Sequence, residues 1–192
     1  MDGKEFGQAR DYCAYIFAFL AVLRISEYTG TDSLQWRHVQ LARNNGLNMI
    51  NVSIPFSKTA SHSVQVTIVE QPDELCPVRA FKRYQRLAGK VRPDWPLFLS
   101  NVGHNQAMGR QKYMERLRSR LTTIGELAAT FSGHSFRRGG LTALLLAGVS
   151  DTQAQRHGRW SSNSFRKYFD TEFSVQARAA ATASLAQQCR RR

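Results

Sequence analysis

The chain has 192 residues, of which 27 are Lys or Arg and 14 are Asp or Glu, so its formal net charge is +13 with His neutral. This length fits one domain of about 100 to 200 residues, and a hydrophobic content of 42% is enough for a buried core, which excludes a wholly disordered chain. A positive charge of this size is typical of proteins that bind polyanions.

The first apolar segment, residues 5–24, predicts a buried central helix that ends near Tyr28-Thr29-Gly30. Its uncharged stretch from Tyr12 to Leu23 has twelve residues, whereas a membrane-spanning helix needs about 20. No basic segment precedes it and no small-residue cleavage site follows it, so the pattern is not that of a signal peptide. We therefore expect a protein that stays inside the cell and has no membrane partner.

Three short segments then predict an antiparallel sheet. They run from Leu34 to Leu41, from Leu47 to Ile54 and from Val64 to Val69, and they are rich in alternating or β-branched residues. Asn44-Asn45-Gly46 lies between the first two, and Asn-Gly in that place is a strong hairpin signal. A polar turn, residues 57–61, separates the second and third strands.

The rest of the chain has the patterns of helices, without an internal repeat or a low-complexity linker. The predicted helices are Pro77 to Ala88, Ala107 to Thr123, Phe136 to Ala147, Asp151 to His157, Ser162 to Phe169 and Thr171 to Gln188. The expected fold class is α+β, a mostly helical single domain with a small three-stranded antiparallel sheet at one edge.

Positive charge is concentrated between residues 79 and 120, which hold eleven basic side chains against Asp94 and Glu115. Such runs are often solvated helix faces, but an excess of nine like charges repels itself unless an anion compensates it. We expect nucleic-acid phosphates to be that anion. The predicted DNA-binding residues are Arg79, Lys82, Arg83, Arg86, Arg110, Lys112, Arg116, Arg118 and Arg120. The terminal arginines 190–192 add a basic end or are simply a frayed terminus.

No metal or nucleotide cofactor is expected. The cysteines, Cys13, Cys76 and Cys189, are odd in number and form no C-x-x-C, which argues against a disulfide framework and a zinc site. The five histidines form no pair at i, i+4, and neither common Gly-rich phosphate loop occurs.

Five residues have side chains suited to catalysis, but each also has an ordinary structural explanation. Arg24 ends an apolar helix and can simply complement its dipole, while Lys58 in a polar turn can simply be solvated. His134 opens a helix as a capping group would. Trp160 can simply belong to the hydrophobic core, and Tyr168 can pack beside neighbouring phenylalanines. None of these positions decides the function alone.

In this order, however, the residues resemble the active site of the tyrosine recombinase (phage integrase) family. The resemblance covers nearly the whole chain. It includes Arg-Ile-Ser-Glu at 24–27, Ser-Lys-Thr at 57–59, Gly-His-Ser-Phe-Arg-Arg-Gly-Gly at 133–140, and Gly-Arg-Trp at 158–160. Tyr168 follows Trp160 by eight residues, a separation most similar to that in recombinases of eukaryotic mobile elements of the Crypton and DIRS groups.

The resemblance implies six catalytic residues, Arg24, Lys58, His134, Arg137, Trp160 and Tyr168. Tyr168 would attack a DNA phosphate and form a 3′-phosphotyrosine, which conserves the bond energy for rejoining. Arg24 and Arg137 would bind the non-bridging oxygens, because a guanidinium stays charged and holds phosphate with two parallel hydrogen bonds.

The remaining roles follow from the same resemblance. Trp160 would donate its indole N–H to the phosphate, and His134 would be either a further donor or the base that takes the phenol proton. Lys58 would protonate the departing 5′ oxygen. Glu27 would orient the cluster, and neither Mg²⁺ nor ATP would be required.

The resemblance also predicts the organisation of the chain. Residues 1–170 would form the catalytic domain, and residues 171–192 a helical tail with a basic end that packs on a neighbouring subunit or on its own domain. Only some twenty residues precede Arg24, where the family usually carries a DNA-binding domain, so the chain is similar to an isolated catalytic domain. The implied partner is double-stranded DNA, and the chain would be a homotetramer in the synaptic complex and a monomer when free. The location would be the nucleus in a eukaryote, or the cytoplasm and nucleoid in a bacterium or phage.

Two other functions remain open at this point. A catalytically silent, domesticated DNA-binding module would keep the fold and the basic surface. A type IB topoisomerase would use the same chemistry to relax supercoiled DNA without pairing two sites.

Overall fold

A computed structural model describes residues 3–55, 63–160, 162, 165 and 166. Its elements, in chain order, are α1 (Gly3–Leu20), α2 (Ile25–Tyr28), β1 (Val39–Asn44), β2 (Leu47–Ile54), β3 (Val64–Val69), α3 (Pro77–Ala88), α4 (Arg110–Thr123), α5 (Ser135–Leu146) and α6 (Asp151–Gly158). Single 3-10 turns occupy Trp36–His38 and Ala128–Thr130. The predicted α+β class with one three-stranded antiparallel sheet is confirmed.

Helix α1 forms the centre of the core because its apolar side chains point in all directions. Cys13, Ala14, Phe17 and Ala18 have no exposed surface. Helices α3 and α5 pack along it, and the rings of Phe81 and Phe17 lie 5.8 Å apart. The end of α1 lies beside the first turns of α5, and Arg24 follows shortly after it in the chain.

The prediction that the first helix ends near Tyr28-Thr29-Gly30 is wrong, because α1 ends at Leu20 and a separate short helix, α2, follows. Val22 has a left-handed backbone, with φ of 50°. This conformation lets the N–H of Leu23 donate to the carbonyl of Ala18 at 3.0 Å, the hydrogen bond of a Schellman-type helix end. Glycine usually occupies such a position, so a β-branched valine there is strained.

The sheet has the order β1-β2-β3, and both pairs of strands are antiparallel. The predicted hairpin is confirmed: Asn44 pairs with Leu47, and Asn45 and Gly46 have φ of 48° and 83°, as a type I′ turn requires. Ile50 and Val52 of β2 are fully buried, so the central strand attaches the sheet to the core.

The predicted start of the first strand at Leu34 is wrong, because β1 begins at Val39. Residues 34–38 instead bond to the segment before α4. The N–H of Trp36 donates to the carbonyl of Trp95 at 3.0 Å, and the N–H of Leu97 donates to the carbonyl of Leu34 at 2.6 Å. These partners lie about sixty residues further along the chain. A local strand pattern could not reveal such distant hydrogen bonds.

The predicted helices after the sheet are largely confirmed. The second of them, α4, begins at Arg110 and not at Ala107, because Ala107 forms a β-bridge with Leu99 and the N–H of Met108 donates to the carbonyl of Phe98. The segments predicted as helices from Ser162 to Phe169 and from Thr171 to Gln188 lie mostly or wholly outside the described residues.

Across the described part of the chain, no helix has the length and apolar content that a bilayer crossing demands. Within the same residues, no three metal-ligating side chains of His, Cys, Asp or Glu come together.

The contact between α1 and α5 depends on two glycines. A Cβ on Gly140 would overlap the carbonyl oxygen of Phe19, and a Cβ on Gly139 would lie 3.2 Å from the ring of Phe19. The absence of side chains at these positions lets the two helices approach closely, and this approach brings Arg137 to the end of α1.

We predict that Gly140→Ala destabilises the protein by about 3 kcal/mol, because the new methyl group overpacks a backbone carbonyl that cannot rotate away. The free energy of unfolding from urea titration measures this cost. Gly139→Ala is the matched control, since the ring of Phe19 can shift and alanine gains about 1 kcal/mol in helix propensity. Equal costs for both variants would contradict the proposed close approach at Gly140.

Candidate active site at the end of the central helix

Four segments converge where α1 ends: the Ala21–Leu23 turn, the start of α2, the first turns of α5 and the end of α6. At their centre is the carbonyl oxygen of Val22. It accepts a hydrogen bond from Nη1 of Arg137 and another from Nη2 of Arg159, the latter at 3.1 Å. The strained backbone of Val22 is thus held by two guanidinium groups, and strain of this kind concentrates at functional sites.

Arg24 is the N-cap residue of α2 and is fixed by Glu27. The backbone N–H of Arg24 donates to Oε2 of Glu27 at 2.7 Å, and its Nη1 donates to Oε1 at 2.9 Å. Nη2 of Arg24 donates to the carbonyl of Arg159 at 3.3 Å. The side chain of Arg24 is still 27% exposed, so its guanidinium is oriented by the protein and reaches the surface.

Arg159 is a member of this cluster that the sequence reasoning missed. Its Nη2 lies 2.7 Å from Oε2 of Glu27, and the two side chains are only 5% and 10% exposed. Nη1 donates to the carbonyls of Ala21 and His157 at 3.1 and 3.2 Å. Burial lowers the pKa of Arg159, and the charge of Glu27 opposes that effect.

The only sequence signal for Arg159 is its place between Gly158 and Trp160. Its partner Glu27 is 132 positions earlier in the chain, so no local spacing links the two residues. The backbone of Arg159 is left-handed, with φ of 60° and ψ of 45°, and this turn directs the chain away from α6. Arg159 therefore joins the end of α6 to the start of α2 through an almost buried ion pair.

Arg137 and Trp160 lie together. Arg137 is 2% exposed, and its guanidinium donates to the carbonyls of Val22 and Gly158. The guanidinium carbon is 4.0 Å from the centroid of the Trp160 ring, a cation–π contact. A Cβ on Gly158 would overlap that ring, so glycine makes the stacking possible.

His134 is the N-cap residue of α5, exposed, and lies one helical turn before Arg137. Neighbours at i, i+3 share a helix face, so the imidazole is on the same side of α5 as the arginine. Gly133 packs against Ile25, whose Cδ1 would be 2.5 Å from a Cβ at that position. This contact holds the start of α5 against α2.

His157 has a structural contact and is not part of the predicted set. Its Nε2 lies 2.8 Å from the carbonyl of Leu20. Burial lowers the pKa of His157, so the neutral imidazole is favoured at neutral pH, with an Nε2–H that donates to that carbonyl. The residue stabilises the helix end beneath the cluster.

The other tyrosines are poor nucleophiles. Tyr28, Tyr84 and Tyr113 are buried, and burial raises the pKa of Tyr28 and of the half-buried Tyr15 to about 12. Tyr12 differs from them, because it is 37% exposed, and its hydroxyl donates to the carbonyl of Glu74.

Lys58 and Tyr168, two of the six predicted catalytic residues, lie outside the described residues. Strand β2 ends at Ile54 and β3 begins at Val64, so Lys58 belongs to the connection between them. The predicted tail, residues 171–192, also lies outside the described part.

The predicted DNA-binding residues lie on two helices. Arg79, Lys82, Arg83 and Arg86 are exposed on α3, and Arg110, Lys112, Arg116, Arg118 and Arg120 lie on α4. Arg116 and Arg120 are partly compensated, because they lie 2.8 and 3.1 Å from the carboxylate of Asp11. The charge count for residues 79–120 missed this counterion, since it belongs to α1.

Comparison with solved structures finds a likeness to the integrase of the Tn1549 transposon in complex with circular intermediate DNA. The identity is 20% and the TM-score 0.48, and the match covers 88% of this chain and 56% of that one. No family model and no curated protein matches the sequence. The narrower resemblance to Crypton and DIRS recombinases gains no support from these comparisons.

We predict that Glu27→Gln lowers the free energy of unfolding by about 3 kcal/mol, because it leaves the buried charge of Arg159 without its partner. Urea titration of Glu27→Gln, Arg159→Met and the double variant measures the coupling. We expect the double variant to be about 2 kcal/mol more stable than the sum of the single costs implies. Additive costs would contradict a coupled pair.

Proposed function

We propose that this protein cleaves and rejoins DNA strands through a covalent phosphotyrosine intermediate. The observation that carries the proposal is the convergence of Arg24, Arg137 and Trp160 at the end of α1. They come from three separate parts of the sequence, and Arg24 and Arg137 each bond to carbonyls of the segment 158–159 beside Trp160. The resemblance to tyrosine recombinases assigns the same three residues to contacts with the phosphate.

The proposed reaction needs a cationic site at the surface. Arg24 supports it, because Glu27 fixes its orientation while the side chain stays 27% exposed. A guanidinium in a fixed position binds the charge that develops on the non-bridging oxygens in the transition state. Arg24 would therefore be the first arginine to meet the phosphate.

Arg137 would act from below the surface of the site. It is 2% exposed and covered by the ring of Trp160, so direct contact with the phosphate requires the indole to move off the guanidinium. The moved indole could then present its N–H to an oxygen of the same phosphate. Until that movement, Arg137 contributes a buried positive charge below the site.

The proton transfers would be divided between two residues. The oxygen of Tyr168 forms a bond to phosphorus as the bond from phosphorus to the 5′ oxygen breaks. The phenol proton passes to the exposed His134 or to water, and Lys58 delivers a proton to the departing 5′ oxygen. Rejoining reverses these steps with a new 5′ hydroxyl, and the phosphotyrosine retains the energy of the cleaved bond.

Two alternatives give different experimental results. A silent DNA-binding module would bind duplex DNA and form no adduct. A type IB topoisomerase-like enzyme would form the adduct and relax supercoiled DNA, but it would not exchange strands between two sites. Relaxation and two-site recombination assays separate the second alternative from a recombinase.

We predict that Tyr168→Phe abolishes the covalent adduct with a nicked suicide DNA substrate and leaves DNA affinity nearly unchanged, because only the attacking oxygen is lost. A denaturing gel measures the adduct, with EDTA present to test independence from divalent metals. Tyr12→Phe is the matched control, since it removes an exposed phenol oxygen elsewhere and should leave adduct formation intact. An adduct in Tyr168→Phe would exclude this nucleophile.

We predict that Lys58→Ala slows cleavage roughly 10²- to 10⁴-fold, the usual contribution of a positioned proton donor. A substrate with sulfur in place of the bridging 5′ oxygen should restore most of that rate, because a thiolate leaves without a proton. Single-turnover cleavage rates measure both effects. The sulfur substrate should not rescue Arg24→Ala equally, since Arg24 acts on the non-bridging oxygens. Equal rescue of both variants, or none for Lys58→Ala, would remove Lys58 from the mechanism.

A further inference from the structure

A second cationic site lies well away from the end of α1. A cavity of about 590 Å³ opens between the first half of α1, the loop before α4 and the first turns of α4. Asp11 lies nine residues before the end of α1, a distance of about 14 Å along the helix axis. The ionisable side chains that line the cavity are Lys4, Arg10, Lys112, Arg116, Arg120 and Asp11.

Asp11 organises the arginines. Its side chain has no exposed surface and accepts five hydrogen bonds, two from Arg10, two from Arg116 and one from Arg120. Three guanidinium charges against one carboxylate leave an excess of +2, and Lys112 raises it to +3. Because a buried carboxylate holds the arginines, the positive charge is fixed before any ligand arrives.

The arginines differ in what they can still bind. Arg10 is 4% exposed and also donates to the carbonyls of Leu99 and Ser100, so it is committed to the protein. The side chains of Arg116 and Arg120 are 33% and 40% exposed. Among the described residues, Nη1 of neither arginine donates a hydrogen bond, and Lys112 forms no ion pair.

The remaining lining suits an anion with an organic part. Gly109, the residue before α4, lines the cavity, and the first turn of α4 carries no acidic side chain. Phe6, Val102 and Met108 supply an apolar wall. Fixed guanidinium groups suit the several oxygens of a phosphate, and the volume exceeds that of a phosphate alone.

We infer that this cavity binds the phosphate group of a phosphate ester. The ester is either a backbone phosphate of DNA away from the cleaved bond or a free phosphate ester, and the two sources share the same oxyanion chemistry. The DNA source rests on the proposed function, whereas the free ester does not.

Inorganic phosphate is the probe for the site, titrated by calorimetry against chloride at equal ionic strength. Lys112→Gln should raise the dissociation constant for phosphate about tenfold, the effect of losing one charge-assisted hydrogen bond. Lys90→Gln is the matched control, because Lys90 is exposed and lies outside the cavity. It should bind phosphate as the unmodified protein does.

A second pair of variants tests the cavity without removing a cation. Gly7 lines the cavity, and the nearest atom to a Cβ there is Nη2 of Arg10 at 3.8 Å. Gly7→Asp should abolish phosphate binding, because it places a negative charge in the cavity that repels the phosphate. Gly7→Asn has the same shape without the charge and should retain binding within a few fold.

Duplex DNA distinguishes the two sources. If the source is a DNA backbone phosphate, Lys112→Gln lowers the magnitude of the slope of log affinity against log salt by about 0.9. Lys90→Gln then leaves the slope unchanged. An unchanged slope together with weaker phosphate binding identifies a free phosphate ester.

Three results would overturn the inference: phosphate binding no tighter than chloride binding, unchanged phosphate binding in both Lys112→Gln and Gly7→Asp, or phosphate binding lost only in Arg24→Gln. The phosphate titration uses neither Tyr168 nor DNA. A failure of the cavity to bind phosphate is therefore distinguishable from a failure of the proposed cleavage reaction.

Discussion

The buried ion pair between Glu27 and Arg159 is the interaction on which the site depends. Glu27 is bound to Arg24 on one side and to Arg159 on the other. Arg159 in turn shares the carbonyl of Val22 with Arg137. Two buried charges are costly to remove from water unless their pairing and hydrogen bonds are nearly complete. This cost makes the arrangement specific, since breaking one partnership leaves the others with an uncompensated charge.

Small residues let the helices come close enough for that pair to form. Gly140 allows α5 to approach the carbonyl of Phe19, Gly133 allows the start of α5 to pack on Ile25, and Gly158 gives room to the ring of Trp160. Each glycine removes a side chain where a backbone or a ring must pass. The close packing brings Arg137 to the end of α1, where a long cationic side chain can bond to main-chain oxygens.

The protein organises its positive charge in the same way at two separate places. Beyond the end of α1 a single carboxylate, Glu27 of α2, holds two arginines, and in the middle of α1 Asp11 holds three. In each case the carboxylate is largely or fully buried, and its single negative charge is smaller than the summed positive charge of its arginines. A surplus of oriented positive charge remains at the surface, which is the electrostatic requirement for binding a phosphate.

The sequence by itself determined the elements whose causes are local. The Asn45-Gly46 turn, the three strands and the helices after them follow from turn chemistry and from periodicity, which act between near neighbours in the chain. Its resemblance to the tyrosine recombinase family also pointed to Arg24, Arg137 and Trp160. Tertiary structure decided the end of α1 at Leu20, the late start of β1, and the partnerships of Arg159 and Asp11. Those features depend on groups that are distant in sequence, since Arg137 and Val22 are 115 residues apart. Hydrogen bonds and ion pairs depend on distance in space, and only the folded chain brings such groups together.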